Sequence, residues 1–172
     1  MSARLLQTFV LAALVASAPA ADFDAGLKAY QEHDYATALK EWQPLAKQGD
    51  RSAQFNLGLM YFDGQGVPQD FAEAADWFRK SARQGFVKAQ YNLGELLATG
   101  KGIRKDYVEA HMWLNLCAAS GNTTCAAHRD LIAKKMKPAA IAEAQHRASE
   151  WQRKQNASQE YNPDAPPENQ PR

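Results

Sequence analysis

Two cysteines and two histidines are the side chains here best suited to covalent or metal chemistry. Cys117 and Cys125 lie four residues before and four after Gly121. If Gly121 turns the chain between antiparallel helices, the two thiols face each other at bridging distance. An oxidising compartment would join them. The same pair with His111 and His128 makes a nominal four-ligand metal set. It lacks a tight pair such as Cys-x2-Cys, and His111 stands six residues from Cys117, off its helix face. No metal site and no cofactor are expected. Nucleophile and metalloprotease signatures are missing too: the sequence has no Gly-x-Ser-x-Gly, no His-Glu-x-x-His and no Ser-x-x-Lys. Gly100-Lys101-Gly102 has neither the glycine spacing nor the Ser/Thr of a phosphate loop. The chain reads as non-enzymatic.

The elements that must position these residues repeat every 36 residues. Ala53-Gln-Phe-Asn-Leu-Gly58 returns as Ala89-Gln-Tyr-Asn-Leu-Gly94, and Gly64-x-Gly66 as Gly100-x-Gly102. Asp34, Asp70 and Asp106 recur in step, as do Gly49, Gly85 and Gly121, and Trp77 with Trp113. Such a period marks a solenoid, whose units bury their apolar faces only against neighbours. Each unit reads as a helical hairpin. Ala53, Leu57, Met60 and Tyr61 share one face of the first helix, and Phe71, Ala74, Ala75, Phe78 and Ala82 form a stripe on the second. Asp70 with Glu73, and Asp106 with Glu109, have the spacing of capping boxes. Gly85 stops the second helix. The fold class is all-α, with hairpins at about 22–50, 51–86, 87–122 and a terminal cap at 123–151. In the cap, Pro138 suits a first helical turn, and Ile141, Gln145, Ala148 and Trp151 follow at helical spacing.

The 172 residues suit one domain, and twenty Lys+Arg against nineteen Asp+Glu leave a formal charge of +1. That balance provides no electrostatic footprint for nucleic acid. The N-terminus reads as a signal peptide over 1–20: Arg4, an apolar run from Leu5 to Ala16, then Ala18-Pro19-Ala20 as the cleavage site. The run is too short to span a bilayer. Cleavage after Ala20 would leave a periplasmic chain without stable membrane insertion, expected to be a monomer. Residues 152–172 carry four Pro, many Gln and Asn and few apolar side chains, and are expected to form a disordered tail.

The run Ala53-x-x-x-Leu57-Gly58-x-x-Tyr61-x-x-Gly64-x-Gly66-Val67-x-x-Asp70-x-x-x-Ala74-x-x-Trp77-Phe78-x-x-Ala82-x-x-Gly85 resembles the SEL-one-like repeat family, relatives of the tetratricopeptide repeat. Residues 87–122 follow the same pattern with Leu97 and Leu114 replacing aromatics. Residues 22–50 resemble a shorter tetratricopeptide-like hairpin, with His33 where Gly is usual. The resemblance covers about 22–151 and implies a right-handed α-solenoid acting as an adaptor. The Cys-x7-Cys spacing of Cys117 and Cys125 is similar to that of the family's secreted cysteine-rich branch, which staples its hairpins this way.

In such solenoids the first helices line the concave side. Phe55, Leu59 and Phe62, with Tyr91 one repeat on, would make an apolar stripe there, bordered by Lys88 and Glu95. Asn56, Asn92 and His128 form a polar file beside it. These side chains either pack against neighbouring helices or bind a partner segment. The reading that follows is a periplasmic adaptor for a protein or peptide partner of the envelope, in signalling or secretion. An enzyme or binder of β-lactam or peptidoglycan-like ligands is the alternative, and an assembly piece acting through its tail is a third.

Overall fold

The computed structural model describes residues 21–160. The expected signal peptide at 1–20 and the last part of the expected tail, 161–172, lie outside the described residues. Eight helices follow in order: α1 (Phe23–Gln31), α2 (Tyr35–Lys47), α3 (Arg51–Asp63), α4 (Phe71–Arg83), α5 (Val87–Thr99), α6 (Tyr107–Ala119), α7 (Thr123–Ala133) and α8 (Pro138–Glu160). No strand occurs among the described residues. Consecutive helices from α1 to α7 pack pairwise, as an α-solenoid requires.

Local rules set these boundaries. Asp22, Asp34, Asp50, Asp70, Asp106 and Asn122 each cap a helix by accepting first-turn amides on the side-chain oxygen. The reciprocal half of the capping boxes is not made. The amide of Asp70 donates to the Tyr61 carbonyl at 2.9 Å, and that of Asp106 to the Leu97 carbonyl at 3.0 Å. Each bond ties the loop back onto the helix before it. Glu109 turns elsewhere, accepting the Trp113 indole at 3.1 Å and facing Arg79 at 3.6 Å.

Repeats interlock through glycines whose partners lie in the preceding hairpin. Gly66 (φ 72°) sits against Tyr35, and Gly102 (φ 72°) against Phe71. A side chain at either position would meet both a disfavoured φ and the neighbouring repeat. The first turn is different: His33 itself takes φ 62°, and its imidazole is bonded to the Tyr35 hydroxyl at 2.9 Å. Buried Trp42, Phe78 and Leu114 anchor the interiors of successive hairpins, each opposite a helical glycine, Gly26, Gly58 and Gly94. The amides of Gln54 and Gln90 lie inside the structure and donate to the Ala46 and Ala82 carbonyls. This satisfies the last turns of α2 and α4 at the 36-residue spacing.

The cap departs from the expected terminal hairpin. α8 packs along α6, so it closes the second-helix layer. Its buried stripe is Ala144 and Ala148 with half-buried Trp151, which meets Trp113 at 6.2 Å between ring centroids; Ile141 is only half-buried and Gln145 is exposed. Residues 152–160, expected to belong to the disordered tail, continue the helix to Glu160. Their anchorage explains the difference: Trp151 lies against Gly85, and the Gln155 amide reaches the Arg83 carbonyl at 3.5 Å. A polar helix end is held by docking where its composition alone would leave it unfolded.

Candidate functional site

Counting α3, α5 and α7 from their N-caps puts the three on one register, the caps Asp50, Phe86 and Asn122 being 36 residues apart. Five residues after the cap stand Phe55, Tyr91 and Ala127. One further on stand Asn56, Asn92 and His128. Nine after the cap stand Leu59, Glu95 and Leu131. α1 starts one turn later, so that Gly26 matches Gly58 and Leu27 matches Leu59. Leu27 and Leu131 are the two large exposed hydrophobics among the described residues, and both fall in this file.

At its centre α3, α5 and α7 converge on a cleft of about 310 Å³ lined by Phe55, Lys88, Tyr91, Asn92, Asn122 and Thr124. Four of these were expected at the site. Phe55 forms the floor; it is 9% exposed and packs on Phe78 and Phe86 at 5.8 and 5.1 Å between centroids. Tyr91 and Asn92 are half-buried, and Lys88 is exposed. Burial first, and then the nearby Glu95 carboxylate, raise the Tyr91 phenol above its ordinary pKa, so it stays protonated and able to donate.

Glu95 and His128 meet each other beside the cleft. The Glu95 Oε1 lies 2.7 Å from His128 Nδ1, while the Tyr91 ring meets the imidazole edge-on at 5.3 Å. This ties α5 to α7 across the file and orients Tyr91. Leu59 and Phe62 do not line the cleft: both are half-buried against the main core, and Phe62 meets Phe71 edge-on at 5.3 Å between centroids. Asn56 is half-buried on α3 and does not line the cleft. Asn122 and Thr124 were missed. Asn122 is the α7 cap, and its position opposite Lys88 becomes apparent only once α7 is placed beside α5.

Cys117 and Cys125 form a disulfide, with Cα atoms 5.8 Å apart and both residues fully buried. It fastens α7, one wall of the cleft, to α6. His111 does not join them; it is 2% exposed, and its Nδ1 lacks a hydrogen-bond partner. No group of three or more His, Cys, Asp or Glu side chains is arranged to hold a metal among the described residues. Nor is any described helix long and apolar enough to cross a membrane.

Comparison with known proteins matches the Sel1 repeat family to residues 51–86 and 87–122. A protective antigen present in uropathogenic Escherichia coli strains, displaying an SLR fold, is similar at TM-score 0.72 and 26% identity over 87% of this chain and 34% of its own. A Sel1 repeat protein from Oxalobacter formigenes is similar at TM-score 0.62 and 27% identity, over 76% of this chain and 56% of its own. The chain thus spans about a third of the first relative's length and just over half of the second's. No curated protein matches it. Repeat pattern, helix order and structural likeness agree: residues 51–86 and 87–122 match the Sel1 repeat, and the α-solenoid is similar to those of SLR and Sel1 repeat proteins.

Proposed function

We propose that the protein is a non-enzymatic adaptor of the bacterial envelope, exported by residues 1–20 to the periplasm, that holds a peptide segment of a protein partner in the cleft between α3, α5 and α7. Sel1 repeats generally mediate protein interactions. The observation that carries the reading is the make-up of the cleft. An aromatic floor and wall, Phe55 and Tyr91, stand beside amide, hydroxyl and ammonium groups from Asn92, Asn122, Thr124 and Lys88. Such a surface buries an apolar side chain while hydrogen-bonding the backbone that carries it. The buried Cys117–Cys125 disulfide fits an oxidising compartment.

The test is a photo-reactive residue at Tyr91 in intact cells, with adducts identified by mass spectrometry. One discrete protein adduct is expected, reduced at least five-fold by Lys88→Glu in a chain with an unchanged melting temperature. Phe55→Ala is a poor control, because Phe55 is part of the core. Absence of any adduct to another protein overturns the reading.

A further inference from the structure

The C-terminal half of α8 meets the turn between α4 and α5, which leads into the cleft. Gln155 contacts the last carbonyl of α4, Arg83, and Trp151 lies over Gly85. The chain from that turn runs directly into the site: Phe86 packs on Phe55, and Lys88 stands at the lip. Glu160 is five residues beyond Gln155, about 7.5 Å at helical rise. The twelve residues after it read Tyr-Asn-Pro-Asp-Ala-Pro-Pro-Glu-Asn-Gln-Pro-Arg. At about 3.1 Å per residue in a polyproline-type conformation they reach roughly 37 Å, several times the width of a helix backbone.

The chemistry of this segment matches what the cleft offers. Proline-rich segments dock on aromatic-lined grooves because their extended conformation is largely preformed. Its acidic residues, Asp164 and Glu168, answer Lys88, the cation on the cleft lip. They also answer an electropositive helix end. α5 is the one helix among α1–α7 whose N-cap, Phe86, makes no side-chain cap bond, which leaves first-turn amides open for an outside acceptor.

We infer that residues 161–172 fold back over the α3/α5/α7 cleft and occupy it, so that a partner must displace the chain's own tail. The inference rests on the cleft being the binding site. Tethering raises the local tail concentration to the millimolar range, so an interaction too weak to detect between separate molecules suffices to fill the cleft. Access by a partner is then set by competition within the chain.

A photo-reactive residue at Tyr91 in the purified full-length chain tests this. The expected adduct joins the cleft to the segment 155–172, at monomer mass and in a yield independent of protein concentration. Asp164→Lys with Glu168→Lys should lower that yield at least three-fold, and Lys88→Glu added to them should restore it. The charge swap keeps the test decisive, because loss of folding cannot produce rescue. An adduct elsewhere in the chain, a tail adduct only at dimer mass, or a yield indifferent to the charge reversals overturns the inference. Capture of a partner in cells without a tail adduct in the pure protein would sink the tail reading alone. A tail adduct with no partner captured, even by the charge-reversed chain, would sink the adaptor reading alone.

Discussion

His111 is the residue whose burial carries a thermodynamic consequence. It lies inside α6 with Nδ1 unbonded, and desolvation, then the Arg129 guanidinium, hold its imidazole below the ordinary pKa. Asp130 opposes the shift. An unfolded histidine takes a proton near pH 6.5, while the folded one resists, so below that pH the unfolded chain binds more protons. The stability contributed by this site is therefore full above about pH 6.5 and is lost as pH falls through the interval below it. Urea midpoints at pH 7.5 and 5.5 should fall further for the native chain than for His111→Leu; parallel falls would contradict the assignment. Glycines give a second test at this scale. An added Cβ at Gly94 would stand 2.8 Å from Leu114 Cγ, whereas at Gly121 it meets nothing within 4 Å but inherits φ 88°. Gly94→Ala should cost about 1–3 kcal/mol by overpacking. Gly121→Ala should cost about 1 kcal/mol through the backbone alone. Thermal melts would separate them, because restoring space with Leu114→Ala should relieve the first and leave the second unchanged.

At the scale of elements, the disulfide and the docking of α8 divide the work of closing the solenoid. Cys117–Cys125 closes a loop of sequence separation 8, for which chain entropy gives about 2.5 kcal/mol. It acts on α7, while α8 is held separately by Ala144, Ala148 and Trp151 against α6. Cys117→Ala with Cys125→Ala should therefore raise hydrogen exchange in α7 first and leave the middle of α8 protected. Equal loss in both would mean that they open as one unit. The same division explains what was legible in the sequence. Caps, glycine turns and the 36-residue period are local signals, so the all-α repeat architecture could be read. The partner of α8 could not, because a stripe of small residues does not say which helix it faces. Nor could the helix at 152–160, whose polar sequence is ordered by a contact 72 residues away in the chain, Gln155 to Arg83. At the site, Tyr91, Asn92 and Lys88 were legible from periodicity. Whether Phe62 packs or faces the cleft could not be read, because helical counting within α3 cannot reveal Phe71 beyond the loop. Leu27 was overlooked because the first repeat is eight residues short, and only the packing of Gly26 on Trp42, like that of Gly58 on Phe78, restores its register.

For the whole molecule, stability is distributed along the repeats, as expected of a chain whose units contact only their neighbours. α8 breaks that pattern by covering α6 and reaching the end of α4 at once. Its Trp151 touches both, through Trp113 and at Gly85. Removing that ring should uncouple the last two repeats in addition to losing apolar contact. Trp151→Ala is expected to cost about 2 kcal/mol, less than a fully buried aromatic because the residue is only half-buried. It should also broaden the denaturation transition, lowering the apparent urea m-value, as α6–α8 begin to open before α1–α4. A sharp transition with an unchanged m-value would show instead that the repeats remain a single cooperative unit without the α8 contact. The consequence reaches the cleft, because α5 and α7 are joined across it by Glu95 and His128 while α7 hangs on α6. Loosening α8 frees α6, and with it the wall that holds Tyr91 in place. Trp151→Ala should therefore lower crosslinking from Tyr91 more than its cost in global stability alone predicts, which a comparison with Gly121→Ala measures.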